Sequence, residues 1–245
     1  MMDLAIMVPK ILFARRNSEP PLIDPEKANI IIMMDDGWES EYKIGYKIMN
    51  EKNMPGTIAV VANRVGTAQF MNYAQLLFLY ESGWDLVNHT GEHKDLAEID
   101  RDAQEKQIAG GLKWLKKHGF TRGMDILAYP YGNFNDDTID LLGQYNIRSA
   151  RTTHMGLNRE GETDFARVKS FVVMSDDTVR EVQDAIDEAV HCGGTLILVF
   201  HKLGDGDEFS YAPASFKELI DNLDAIRDDV NIITYTQWLD SMEMK

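Results

Sequence analysis

Residues 28–37 read Ala28-Asn29-Ile30-Ile31-Ile32-Met33-Met34-Asp35-Asp36-Gly37, an apolar run that ends on two carboxylates and a glycine. Such a run, bounded by a turn signal, reads as a buried strand over Ala28–Met34. Two further segments repeat the design. Trp84-Asp85-Leu86-Val87-Asn88 runs into His89-Thr90-Gly91-Glu92-His93, and Thr195-Leu196-Ile197-Leu198-Val199-Phe200 runs into His201. Where parallel strands feed a sheet or barrel, their C-terminal ends gather at one rim, and α/β enzymes keep their chemistry there. Two Asp and three His delivered to one rim point to metal-assisted hydrolysis.

Outward from these segments, strand and helix patterns alternate to the end of the chain. Further strands are expected at Thr57–Ala62, Met124–Ala128, Ile147–Arg151, Lys169–Met174 and Asn231–Thr234. Helices are expected at Glu41–Lys52, near Met71–Ser82, and at Arg101–His118, Asp136–Gln144, Val179–His191, Pro213–Asp228 and Thr236–Met242. Gly119 closes the third of these helices, and Asp177 or Thr178 caps the fifth. Residues 152–166 read as loop. Regular alternation means βα units and a mostly parallel sheet. Seven or eight such strands suit a closed or distorted barrel better than an open sheet, so the expected fold over residues 28–245 is α/β, a (β/α) barrel.

Residues 1–27 read as an N-terminal arm with a Pro-rich lead-in, Pro20, Pro21 and Pro25. Its apolar pieces, Leu4–Val8 and Ile11–Phe13, carry Lys10, Arg15 and Arg16 within or after them, whereas a signal peptide carries its positive charges first. The arm is expected to pack on the domain or on a second copy of the chain, giving a homo-oligomer. No apolar run reaches the roughly 18 residues of a membrane span.

The chain has 245 residues, 44% of them hydrophobic, enough for one sizeable core. Its 25 basic and 40 acidic residues give a net charge of −15, which leaves no basic stripe for nucleic acid. One cysteine, Cys192, excludes an internal disulfide and reads as a buried structural thiol.

The spacing of His89 and His93 puts both rings on one side of a helical turn, within reach of one metal ion. Thr90 is placed to hydrogen-bond that loop. Asp35 and Asp36, adjacent at a strand end, point different ways, so one is free to bind metal while the other takes a proton from water. A solvated turn with Gly37 at positive φ is the plainer alternative. His201 either caps a core strand or gives a proton to a leaving amine. Tyr129-Pro130-Tyr131-Gly132 is an aromatic turn whose backbone N–H suits a developing oxyanion. Trp38 and Tyr131 suit either core packing or stacking on a sugar ring. His118 and His191, at helix C-termini, read as structural.

Taken in order, Asp35-Asp36-Gly37, His89-Thr90-x-x-His93, Pro130-Tyr131-Gly132 and the strand ending at His201 resemble the motifs of the polysaccharide deacetylases, the NodB-homology or family-four carbohydrate esterases. The resemblance covers roughly residues 28–239 and implies a distorted (β/α) barrel of about seven parallel strands. It implies Asp36, His89 and His93 as metal ligands, with Zn²⁺ first and Co²⁺, Ni²⁺ or Fe²⁺ as substitutes. It implies Asp35 as catalytic base, His201 as general acid, and the Tyr131 N–H, beside Pro130, as oxyanion donor. The implied reaction removes N-acetyl groups from an N-acetylglucosamine-containing polysaccharide or oligosaccharide. The alternatives are another acyl substrate at the same site, such as an O-acetyl ester or small cyclic amide, or an impaired carbohydrate-binding remnant.

Three departures stand out. The family's third motif commonly has Arg, partner of the catalytic base, where this chain has Ala128; Arg151 is expected to fill that space, with Arg167 as second choice. The Asp-x-x-Asp-Trp motif that usually supports the acid histidine is not recognisable between residues 145 and 180. A leader of the usual form is missing, which points to the cytoplasm or non-classical export, while the family is mostly extracytoplasmic.

Overall fold

A computed structural model describes residues 23–243. Strands β1 (Ala28–Asp36), β2 (Thr57–Val60), β3 (Asp85–Asn88), β4 (Ile126–Ala128), β5 (Ser149–Arg151), β6 (Phe171–Val172), β7 (Thr195–Phe200) and β8 (Val230–Ile232) alternate with helices α1 (Lys47–Glu51), α2 (Tyr73–Glu81), α3 (Arg101–Lys117), α4 (Asp136–Gln144), α5 (Val179–Cys192), α6 (Pro213–Ala225) and α7 (Tyr235–Glu243). The side chains of Asn72, Asp100, Asn135 and Thr178 accept from the first-turn N–H groups of α2, α3, α4 and α5, which fixes where these helices begin.

All strand pairs are parallel, in the order β5-β4-β3-β2-β1-β7-β6. β1 is the hub. One edge pairs with β7 from Asn29 to Met34; the other pairs with β8 at Ala28–Ile30 and with β2 at Met33–Asp36. The sheet curls into a distorted barrel because the segment leading into β6 also bonds to β5. Val168 N–H donates to Ala150 O, and Thr152 N–H to Val168 O.

Strand alternation then sorts the side chains. Ile31, Met33, Ala59, Val87, Ile126, Ala128, Ile197 and Val199 form one buried cluster, the barrel interior. Ile30, Ile32, Met34, Ile58, Leu86 and Leu198 face outward onto helices. Each such apolar side chain contributes about 1.5–3 kcal/mol by leaving water, set against the entropy of ordering it. α7 closes the N-terminal end. Its Tyr235 and Trp238 join the interior cluster, Tyr235 N–H donates to Thr57 Oγ1, and Thr236 N–H donates to Asp85 Oδ2. The opposite end is left for the site.

Several elements differ from the sequence expectation. The helix after β1 opens as a π-helix, Glu41–Tyr46, before α1. This wide turn lays Gly45 against β1; a Cβ there would stand 2.6 Å from Met34 Cε. β2 stops at Val60 because a 3₁₀ turn follows at Ala62–Arg64. β6 is two residues rather than six. Cys192 is exposed, not buried, since it sits on the last turn of α5, where Gly193 at φ 72° ends the helix at the surface. The arm, and the oligomer contact expected of it, lie outside the described residues apart from Ile23–Lys27. Among the described residues no helix is long and apolar enough to cross a membrane.

Candidate active site

Alternation alone delivers four polar residues to the top of the barrel interior. Met33, Val87 and Val199 point inward, so Asp35, His89 and His201, each two residues on, share their side. Arg151 follows by the same count from Ser149, whose hydroxyl hydrogen-bonds the interior Tyr235 OH. By this count Asp36 would point outward. Its backbone, at φ 82°, turns the carboxylate back over the barrel mouth. Thr90, His93 and Tyr131 also have φ between 59° and 68°. Left-handed backbone is costly for such residues and collects where the surrounding structure enforces it, as at functional sites.

The histidine pair does not lie on a helical turn. After β3 the chain runs irregularly, and two left-handed residues within four positions rule out a helix. The loop is shaped by Thr90 Oγ1, which accepts from His93 N–H at 3.0 Å, and by Asn88 Oδ1, which accepts from Thr90 N–H at 2.8 Å. The rings still meet, with centroids 4.7 Å apart.

Asp36 Oδ1 lies 3.3 Å from His93 Nε2 and 3.8 Å from His89 Nε2. The three donor atoms fall within 4.8 Å of one another, a spread that one small divalent ion spans. His89 Nδ1 lies 2.8 Å from the Ala128 carbonyl. With its proton committed there, Nε2 keeps its lone pair toward the other two donors. Burial pulls both imidazoles down to about pKa 4, so both are neutral donors at neutral pH. The donor set therefore fits a zinc-like ion.

Asp35 stands beside this triad, 3% exposed. Its Oδ2 accepts from Arg151 Nη2 at 2.5 Å and lies 3.9 Å from both His89 Nε2 and His201 Nε2. Burial pushes the Asp35 carboxyl up. Arg151, then His89 and His201, pull it down further than that, so it ends below the usual carboxylate range. Arg151 is the direct register partner of Ala128 across β4 and β5. The cation thus sits one strand over, in the same layer of the barrel, where Ala128 offers only a methyl group. Arg167, the second candidate, points outward: it pairs with Asp164 at 2.6 Å and lies over Phe134. His201 Nδ1 is buried and has no hydrogen-bond partner, in keeping with the unrecognisable acidic motif. The Phe209 ring lies 5.2 Å from the His201 ring.

Trp38, read either as core packing or as a sugar-stacking ring, is half-buried. Its ring stacks on Phe70 at 4.3 Å, Lys202 lies over it at 5.9 Å, and its Nε1–H donates to Asp36 Oδ2 at 3.2 Å. Pro130 is buried and opens the short 3₁₀ turn that presents Tyr131, which is 59% exposed with its ring 4.8 Å from His93. Tyr131 thus keeps a free aromatic face at the mouth.

Two residues at the site carry no signal in the sequence pattern. Arg64 bonds Asp36 Oδ1 at 2.7 Å from the turn after β2. Glu41, in the π-helix, is wholly buried, with the Trp38 and Gly37 N–H groups facing it but no hydrogen bond of good geometry to either oxygen. Burial, then the nearby Asp36 charge, holds its carboxyl well above the usual range. An acid whose pKa is raised by folding keeps its proton while the unfolded chain loses it, so stability falls as pH rises above about 4.5. Glu41→Gln is therefore expected to raise the melting temperature at pH 7–8, the gain vanishing below about pH 4.5. A melting series across that range checks it.

The polysaccharide deacetylase family model matches residues 23–150. The chain is 26% identical over 181 residues to a poly-β-1,6-N-acetyl-D-glucosamine N-deacetylase of Staphylococcus epidermidis, covering 66% of this chain and 61% of that protein. It is 27% identical over 136 residues to the Staphylococcus aureus MRSA252 protein of the same name, covering 50% and 47%. The chain thus spans about half the length of the curated relatives it matches. Among solved structures it superposes on Streptococcus pyogenes deacetylase PplD in complex with acetate, with TM-score 0.59, 20% identity, and 63% and 69% of the two chains covered. It also superposes on a family 4 carbohydrate esterase from Streptomyces lividans in complex with acetate, with TM-score 0.61, 11% identity, and 86% and 94% covered. At these identities the structural likeness establishes the fold.

Proposed function

The chain belongs to the polysaccharide deacetylase family, and from that premise we propose that it is a metal-dependent hydrolase removing N-acetyl groups from an N-acetylglucosamine-containing polysaccharide or oligosaccharide. The observation that carries this reading is the convergence of Asp36 Oδ1, His89 Nε2 and His93 Nε2 beside the Asp35–His201 pair. Those three residues would hold the ion, zinc by preference. Two imidazoles and one carboxylate leave further positions open, as catalytic zinc sites do. When bound, the ion polarises the acetamide carbonyl and acidifies water.

The remaining work falls to the chain. Asp35, kept ionised by Arg151, accepts a proton from the attacking water. The water oxygen adds to the carbonyl carbon, and the Tyr131 N–H donates to the oxygen that becomes negative. His201 then delivers a proton to the departing nitrogen, the C–N bond breaks, and acetate and a free amine leave. The exposed Tyr131 ring receives a sugar face at the rim. The poly-β-1,6-N-acetylglucosamine deacetylases among the relatives favour that polymer as the first substrate to assay.

The test pairs metal analysis with acetate release from poly-β-1,6-N-acetylglucosamine and chito-oligosaccharides. One equivalent of divalent metal and metal-dependent acetate release are expected. His93→Ala is expected to lose most bound metal and acetate release while still melting cooperatively. Full metal occupancy in His93→Ala would overturn the ligand assignment, and metal binding with no acetate from any N-acetylated glycan would overturn the reaction.

A further inference from the structure

Arg64 is built into the triad rather than lying loosely against it. Its 3₁₀ turn is fastened to the histidine loop by two backbone bonds, Ala62 N–H to Thr90 O at 3.1 Å and Asn63 N–H to Gly91 O at 2.9 Å. These acceptors are the two residues that follow His89. The Arg64 guanidinium reaches Asp36 Oδ1 at 2.7 Å and lies over the Phe70 ring at 5.1 Å. Phe70 stacks on Trp38, and Trp38 Nε1–H returns to Asp36 Oδ2. Asp36, Arg64, Phe70 and Trp38 thus close a circuit around one carboxylate.

Two consequences follow from where the circuit touches Asp36. Oδ2 is engaged by the indole, so only Oδ1 faces the two imidazoles. That same Oδ1 carries the Arg64 hydrogen bond. A cation bonded to the donor oxygen withdraws electron density from it and repels a second cation brought to it. Arg64 and Arg151 between them also match the charges of Asp36 and Asp35, so the carboxylate pair is balanced by the chain itself.

We propose that Arg64 is a positioning residue that, bonded to the donor oxygen Oδ1 of Asp36, keeps the divalent ion weakly held and exchangeable. This rests on the assignment of Asp36, His89 and His93 as the ligands. The sign is the distinctive part: an outer contact that merely supports a ligand raises metal affinity, whereas this one lowers it.

The test is a competition titration of Zn²⁺ against a chromophoric chelator, together with the rate of zinc loss to excess chelator. Arg64→Met is expected to bind zinc at least about 10-fold tighter and to release it more slowly, the scale of outer-contact effects. Arg64→Lys, which keeps the positive charge beside Asp36, is expected to tighten zinc binding less than Arg64→Met does. Arg64→Gln, uncharged, polar and about as long as the Met variant, gives the same tightening as Arg64→Met and serves if that variant melts below the assay temperature. Unchanged or weaker zinc binding in the uncharged variants overturns the proposal while leaving the triad intact. Absence of zinc binding by the parent, or full binding in His93→Ala, overturns the ligand assignment and this proposal with it.

Discussion

Asp35→Asn is expected to keep its metal and lose at least about 10²-fold in turnover, the scale of a positioned proton-transfer group. The amide has nearly the shape of the carboxylate but cannot take a proton from water at neutral pH. Asp35 is not among the three converging donors, so metal content is expected to hold. The wild-type carboxyl lies below the usual range, and it is therefore ionised throughout the neutral region. His201→Ala is the companion: it removes the proposed acid, again without touching the triad, and a leaving group that departs without protonation should recover part of its rate. Acetate release measured alongside metal content separates the two losses. Near-wild-type turnover in Asp35→Asn would remove Asp35 from the mechanism, and loss of metal would make it a ligand instead.

The sequence made the barrel and most of its rim legible because both rest on periodicities that the chain cannot hide. Alternation along Ile30–Asp35, Leu86–His89 and Leu196–His201 decides which polar residue faces inward, and the strand order decides that they meet. Arg151 was legible because it ends an expected strand, Ile147–Arg151, whose C-terminal end lies at the same rim. Arg167 lacked that constraint, because it precedes a short strand from within a turn closed by Asp164. The histidine loop was misread as helical since a four-residue spacing also fits an irregular loop, and only the left-handed backbone at Thr90 and His93 tells them apart. Arg64 and Glu41 were invisible. Each reaches Asp36 or its turn from a 3₁₀ or π segment, and such segments have no hydrophobic period to announce which side faces the site.

Arg151→Met is expected to destabilise the fold by about 3–5 kcal/mol near neutral pH, because it leaves a buried carboxylate without its partner. The pH dependence carries the sharper sign. In the wild type the Asp35 pKa is depressed by folding, so its contribution to stability is present above about pH 3.9 and is lost as pH falls through the lower folded value. Without Arg151 the burial effect, already the largest single influence on Asp35, is opposed only by the histidines. The folded pKa of metal-free Asp35 is then expected to rise, and the pH at which its contribution to stability is lost moves up with it. The acid limb of kcat/KM should move to higher pH in step, since the base must first lose a proton it did not hold before. Asp35→Asn/Arg151→Met removes both charges and is expected to recover most of the stability lost by Arg151→Met alone, while remaining as inactive as Asp35→Asn. Melting curves for the four proteins between pH 4 and 8 decide the matter. Additive losses in the double variant would mean that Arg151 acts through packing, and that the cation opposite Ala128 has no part in holding the base.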